Sequence, residues 1–203
     1  MTLLEIERKR DITGQLDTAL AGLANHGFQE TSELRETDTY YSRPDVDFMR
    51  TVECLRIRQR DGFAEITYKP ASTAATHTGG DIIIKPETNL PIAVENVAVA
   101  QQLLTNLDMR ELVVVAKLRR SFQSPAWPNV TIAIDDIAGA GLFIEIEVMS
   151  NDQAVAATMI HDIEELLNLI DFPVVTRPYR DICMECGDTK RQPSLFSNFR
   201  VLN

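Results

Sequence analysis

Cysteine is scarce: three residues in 203, too few for a disulfide framework and in keeping with a reducing cytoplasm. Two of them, Cys183 and Cys186, form a lone C-x-x-C in "DICMECG". With no second pair and no βαβ pattern beside it, this reads as a helical turn with two small thiols, not a zinc or redox centre. Histidine offers no metal spacing either: His26, His77 and His161 fall at a helix end, in a loop and on a helix. No glycine-rich phosphate loop of the P-loop or dinucleotide type is present. No stretch is long and apolar enough to span a bilayer. The first fifteen residues carry Glu5, Glu7, Arg8, Lys9, Arg10 and Asp11 where a signal peptide would be apolar. Positive charge is in deficit, 20 Lys and Arg against 30 Asp and Glu for a net charge of −10. That argues against a nucleic-acid or anionic-membrane surface, while leaving a local basic pocket open. A cytoplasmic protein with no nucleic-acid and no membrane partner is expected.

What is present is strand signal. Strands are expected over 3–10, 33–41, 53–60, 64–69, 81–87, 111–121, 130–137 and 143–149. Hairpin signals, "DGF" and "AGAG", separate two pairs of them. Helical spacing recurs in 13–26, in 92–107 after Pro91, and in 152–170 after Ser150 or Asn151. The order is strand, helix, four strands, helix, three strands, helix. This predicts an α+β protein: an eight-stranded antiparallel sheet closed into a β-barrel with the helices outside. One domain is expected over 1–187, then a polar tail over 188–203 relieved only by Leu195, Phe196 and Phe199. "ASTAATHTGG" (71–80) reads as a loop. The helices and the tail leave homodimerisation possible.

Charges alternate along these strands. In "LLEIERKR" Glu5, Glu7 and Lys9 share one face of a strand. "LRIR" does the same with Arg56 and Arg58, "EITYKP" with Lys69, and "VVVAKLRRSF" with Lys117 and Arg119. "IAIDD" adds Asp135, and "LFIEIEV" adds Glu145 and Glu147. On any single strand a solvated face explains such alternation. Taken together, the strands give one apolar face that helices can cover and a second, charged face that a closed barrel would turn inward.

A charged interior cannot be dry and unpaired, because burying one unpaired charge costs several kcal/mol. Adjacent carboxylates such as Glu5 with Glu7 and Glu145 with Glu147 repel unless a cation lies between them, and hard divalent ions prefer carboxylate oxygens. Lys9, Arg56, Arg58, Lys69, Lys117 and Arg119 would face a highly charged anion, the arginines forking onto phosphate oxygens. Carboxylates holding Mg²⁺ or Mn²⁺ beside a basic lining are the chemistry of a triphosphate site.

The set resembles the CYTH family, the triphosphate tunnel metalloenzymes that include class IV adenylate cyclases and thiamine triphosphatases. The resemblance runs from about Leu3 to about Cys186 and is carried by Glu5-x-Glu7-x-Lys9, "TDTYY", "LRIR", "TYKP", "VAKLRRSF", "IAIDD" and "GLFIEIE". It implies an eight-stranded tunnel that binds a triphosphate with one or two divalent ions. Carried over by position, Glu5, Glu7, Asp135, Glu145 and Glu147 would hold Mg²⁺ or Mn²⁺. Lys9, Arg56, Arg58, Lys69, Lys85, Lys117 and Arg119 would hold the phosphates, and turnover would depend on Glu5, Glu7 and Lys9. Asp38 and Tyr40 read as structural or rim residues, and Arg177 and Arg180 either close a tunnel mouth or lie on the surface. The fifth strand departs from the family's basic–x–acidic–x–acidic pattern, with Asn89 after Lys85 and Glu87. Pro86 there points to an edge or a bulge.

The resemblance implies an adenylate cyclase-like enzyme, in which the ribose 3′-hydroxyl of ATP attacks the α-phosphorus and pyrophosphate leaves. One alternative is a triphosphatase acting on thiamine triphosphate or tripolyphosphate. Another is a non-catalytic polyphosphate- or nucleotide-binding module.

Overall fold

The computed structural model describes residues 4–71, 77–78, 82–83 and 86–186. The elements are β1 (Leu4–Asp11), α1 (Leu16–Asn25), β2 (Gln29–Ser42), α2 (Phe48–Thr51), β3 (Cys54–Arg60), β4 (Phe63–Lys69), β5 (His77–Thr78), β6 (Ile82–Ile83), β7 (Thr88–Ile92), α3 (Val97–Asn106), β8 (Arg110–Gln123), β9 (Val130–Ile137), β10 (Gly141–Ser150), α4 (Gln153–Leu166) and α5 (Tyr179–Glu185). All strands join one antiparallel sheet in the order β5-β6-β1-β10-β9-β8-β2-β3-β4-β7. Eight strands have five or more residues, and β5 and β6 have two each.

The expected closure into a barrel is not what the ladder gives. Among the described residues no strand pairing joins β7 to β5, β6 or β1, so the sheet keeps two ends. Proline explains part of this. The expected 81–87 strand is broken at Pro86, outside the ladder, and pairing resumes in β7, which contains Pro91. Proline has no N–H to offer a further neighbour and belongs on an edge. The sheet is nevertheless strongly curled, because β1, β3, β4, β8 and β10 all send side chains into one cavity.

The two hairpins form where the turn residues demand them. Asp61 and Gly62 join Arg60 to its partner Phe63, with Gly62 at φ 68°. In "AGAG", Gly141 sits at φ 125°, and a Cβ there would lie 2.6 Å from Thr13 Oγ1. The helices are shorter than their periodicity suggested. Pro91 stays in β7, so α3 starts only after a single turn over Val94–Asn96. Asp152, rather than Ser150 or Asn151, caps α4, accepting from the N–H groups of Ala154 (2.9 Å) and Val155 (3.1 Å).

Helices cover the outer face as the alternation requires. Ile6, Ile132, Ile134, Ile144 and Ile146 pack under α1 and α4, while Tyr41, Ile57 and Ala64 pack under α3. Each large apolar side chain so buried contributes about 1.5–3 kcal/mol. The inner face is divided. At one end α5 plugs it with Tyr179 and Cys183 against Tyr40, Val113, Val115, Ile137 and Phe143. The C-x-x-C stands at the end of α5 as a helical turn, with Cys183 buried in the plug, but Cys186 lies just past the helix and is exposed where a buried or half-buried thiol was expected. The other part of the inner face carries the charges. No helix among the described residues is long and apolar enough to cross a membrane.

Candidate functional site

The period of two puts Glu5, Glu7 and Lys9 on the inner face of β1, with Ile6, Arg8 and Arg10 outside. The outer pair is structural: Arg8 and Arg10 both reach Glu164 of α4, which is fully buried, at 2.7 and 2.5 Å. The inner residues line a cavity of about 200 Å³ together with Arg56, Arg58, Lys69, Lys117, Arg119, Glu145 and Glu147. Strand register creates the acidic corner. Glu7 is the Cα partner of Glu147, and Lys9 is that of Glu145. As a result one carboxylate oxygen from each of Glu7, Glu145 and Glu147 lies within 4.8 Å of the others.

These three carboxylates do not behave alike. Burial pushes Glu147 up to about 8, with Glu145, Glu5 and Glu7 adding repulsion and only Arg119 opposing. Burial and Glu145 also raise Glu7, against Lys69 and Lys9. Burial would raise Glu145 too, but Lys9, Arg119 and Lys117 outweigh it and hold this carboxylate well below the usual range. The corner therefore carries one firmly ionised carboxylate and two that resist ionising.

The opposite wall is paired. Arg58 forks onto Asp38 with two contacts of 2.8 Å, and Arg56 meets the same carboxylate at 3.4 Å. Burial alone would raise Asp38, yet Arg56 and Arg58 hold it far below its ordinary value. Glu36 takes Lys117 at 3.2 Å, Arg58 at 3.4 Å and Arg60 at 3.3 Å. At the edge, Lys69 pairs with Glu87 at 2.9 Å and Arg56 approaches it at 3.7 Å. Lys117 links the two walls, meeting Glu36 at 3.2 Å and Asp135 at 3.7 Å, while Arg119 forks onto Asp135 at 2.7 and 2.6 Å, reaches Glu147 at 3.1 Å, and contacts Glu145.

The expected site residues are thus brought together, with two differences of placement. Asp135 is fully buried behind Arg119 and lies outside the three-carboxylate group. Glu5 lines the cavity but also lies outside that group. Lys85 falls outside the described residues. Asp38 is 1% exposed, a wall residue rather than a rim residue. Glu36 and Tyr179 were not singled out from the sequence. Glu36 was legible, since Glu36, Asp38 and Tyr40 continue the same alternation along β2. Arg180 neither closes a mouth with its charge nor lies on the surface. It is 1% exposed and donates to the carbonyls of Glu53 and Phe48 at 2.6 and 3.1 Å. Arg177 is exposed and pairs with Glu185.

Comparison with known proteins gives the family and relatives of the same fold. A Methanocaldococcus jannaschii protein, named provisionally as an adenylate cyclase, is 26% identical over 169 residues, covering 83% of this chain and 90% of that one. The PH1819 protein of Pyrococcus horikoshii superposes with a TM-score of 0.71 at 26% identity, over 89% of this chain and 98% of its own. A more distant Hippeastrum adenylyl cyclase candidate, described as having a dominant triphosphatase activity, gives a TM-score of 0.62 at 12% identity, over 95% and 98%. The model of the CYTH domain matches residues 3–179, and this chain belongs to the CYTH domain family.

Proposed function

We propose that this CYTH chain binds a triphosphate together with Mg²⁺ or Mn²⁺ in the cavity of its curled sheet and hydrolyses the terminal phosphate. One observation carries the reading: three carboxylate oxygens within 4.8 Å of one another, facing a basic wall in the same cavity. The donors fit a hard divalent cation, being all oxygen and all able to carry charge. Overall charge supports the same fit. Five acids line the cavity and Glu36, Asp38 and Asp135 stand behind them, against six lining bases. With Glu7 and Glu147 resisting ionisation, the remaining acids already match the bases, and a divalent cation arriving with a polyanion would let those two carboxylates ionise. Glu7, Glu145 and Glu147 would hold the ion, which would supply positive charge to offset the negative charge developing in phosphoryl transfer.

The chain's own side chains divide the remaining work. Glu7, Glu145 and Glu147 hold the ion, with Glu5 extending the acidic side of the cavity. Arg56, Arg58 and Arg119, each held in place by a carboxylate, would present fixed guanidinium charge to the phosphates, while Lys9, Lys69 and Lys117 act as point charges. In hydrolysis a water oxygen bonds to the terminal phosphorus and gives up a proton, the bridging P–O bond breaks with its electron pair passing to the oxygen of the diphosphate leaving group, which takes up a proton, and orthophosphate is the product at the attacked phosphorus. Cavity size favours this over cyclisation. About 200 Å³ is below the roughly 300–1,000 Å³ of pockets that enclose a drug-sized ligand. The phosphate chain fits inside and a nucleoside would remain outside. Tripolyphosphate is therefore the preferred substrate class, ahead of ATP and thiamine triphosphate. Cyclisation of ATP is the second reading, favoured by the name of the Methanocaldococcus relative.

The test is incubation with tripolyphosphate, ATP and thiamine triphosphate, with Mg²⁺, with Mn²⁺ and with chelator, followed by product identification. Orthophosphate released only with metal is expected. Cyclic AMP with pyrophosphate would replace hydrolysis by the cyclase reading. Metal-dependent binding without any product would replace both with a non-catalytic module.

A further inference from the structure

Tyr179 lines the same cavity as the charged residues, and it carries no charge of its own. Its ring centroid lies 4.0 Å from Lys9 Nζ and 5.5 Å from Lys117 Nζ, and the residue is 7% exposed. Its surroundings fix it there. Val175 donates its N–H to the Lys9 carbonyl at 2.9 Å, and Arg10 bridges Val174. The segment that enters α5 is therefore stitched to the same residue whose ammonium the ring meets. Arg180, next in sequence, is anchored to two backbone carbonyls. Phe143 backs the ring at 5.3 Å with an interplanar angle of 56°.

Lys9 therefore has two partners of different kinds. Glu145 accepts from its ammonium at 3.3 Å, but Glu145 is also one of the three carboxylates placed to share a cation. A carboxylate whose lone pairs turn to a divalent ion has less to offer an ammonium. The face of an aromatic ring attracts a cation through its quadrupole and keeps that attraction whatever Glu145 does. We propose that Tyr179 is a positioning residue whose ring face keeps the Lys9 ammonium aimed into the cavity when Glu145 turns to a divalent cation. The proposal rests on the triphosphate reading of this cavity. The π face is the working part, and the hydroxyl is dispensable to the role.

Two measurements on the full chain separate this proposal from the reading beneath it. The first needs no substrate. In a lysine-labelled NMR sample, the Lys9 ε-methylene protons lie by the ring face and are expected upfield of the other lysines. The shift persists in Tyr179→Phe and is lost in Tyr179→Leu, with Lys9→Arg assigning the signal. The second is steady-state hydrolysis of tripolyphosphate with Mg²⁺. Tyr179→Phe is expected to retain turnover, and Tyr179→Leu to lose about thirtyfold in kcat, the scale of a desolvated cation–π contact, with its Mg²⁺ dependence unchanged. An unshifted Lys9 signal in the wild type overturns the proposal, and the wild-type and Phe spectra decide this even if the Leu variant fails to fold. Loss of kcat in Tyr179→Phe transfers the role to the hydroxyl and overturns it too. A shifted signal in a protein that turns over no triphosphate overturns the reading and the role together, while leaving the contact itself in place.

Discussion

Asp38, buried, and Glu147, half-buried, are both carboxylates on the inner face of one sheet, and their surroundings drive them in opposite directions. Asp38 on β2 sits between Arg56 and Arg58 and is held far below its ordinary range. Glu147 on β10 sits beside Glu7 and Glu145 and is pushed up to about 8. Burial acts on both in the same sense, so neighbours decide the difference. On the β2–β3 wall each acid has at least one base within reach, and the wall is complete as built. In the β1–β10 corner, Lys9 and Arg119 pair with Glu145 and Glu147, and among the described residues Glu7 has no ion pair of its own. The first arrangement is structure. The second sets carboxylates against one another, and a cation is what the proposed function would add to that corner.

The largest effect that would break this contrast is on folding. Asp38→Asn removes one partner of a buried pair and strands two arginines. Loss of about 3–5 kcal/mol is expected, read as a lower denaturation midpoint with an unchanged denaturant slope. A near-neutral variant would show that the β2–β3 wall is not what holds Arg56 and Arg58 in place. Glu7→Gln comes next and should do the reverse. Turnover falls by about a hundredfold or more, as when a group stabilising transition-state charge is lost, while the melting temperature holds. Retained metal-dependent turnover in Glu7→Gln would remove the acidic corner from the mechanism.

Much of this contrast was legible in sequence, and the reason is geometric. A strand's period of two survives any error in its ends, so Glu5, Glu7, Lys9, Arg56, Arg58, Lys117, Arg119, Glu145 and Glu147 could be assigned to one face before any pairing was known. The order of strands and the outer helices followed from the same pattern and from two turn signals. Register was not legible. Nothing local says that Glu7 stands opposite Glu147, or that Arg119 reaches Asp135 before it reaches phosphate. Closure was overestimated because counting strands says nothing about whether the last can donate to the first, and Pro91 in β7 cannot. The α5 plug was missed for another reason. Val113 and Val115 share a face with Lys117 and Arg119, and a charged-interior reading has no place for an apolar end until a helix is seen to fill it.

Acid should separate the two regions without any mutation. The folded-state value of Asp38 is depressed, so its contribution to stability is full above its unfolded value near 4 and is lost as pH falls toward the folded value. Glu36 is lowered as well, where Lys117, Arg58 and Arg119 outweigh burial, and it adds in the same direction. Stability should therefore decline below about pH 4, and the decline should be shallower in Asp38→Asn. Urea midpoints taken from pH 7 to pH 3 measure it, and parallel curves for the two proteins would mean that Asp38 is not the group being lost.

The smallest effect is the most diagnostic, because its sign is opposite. Glu147 has a folded-state value raised to about 8, so above its unfolded value near 4 the ionised form weakens the fold, increasingly so as pH rises toward 8. Glu147→Gln keeps the shape of the side chain and removes the charge. In metal-free protein at pH 8 to 9 the variant should melt a few degrees higher than the wild type, about the shift that 1 kcal/mol gives a domain of this size. At pH 5 wild-type Glu147 is already largely protonated and most of the difference should disappear. Saturating Mg²⁺ should reverse the order by stabilising the wild type and not the variant, since only a protein that binds the ion gains from its presence. A Glu147→Gln variant that melts lower than the wild type at pH 8 to 9 without metal would show that Arg119 alone satisfies this carboxylate, and that the corner needs no cation to be complete.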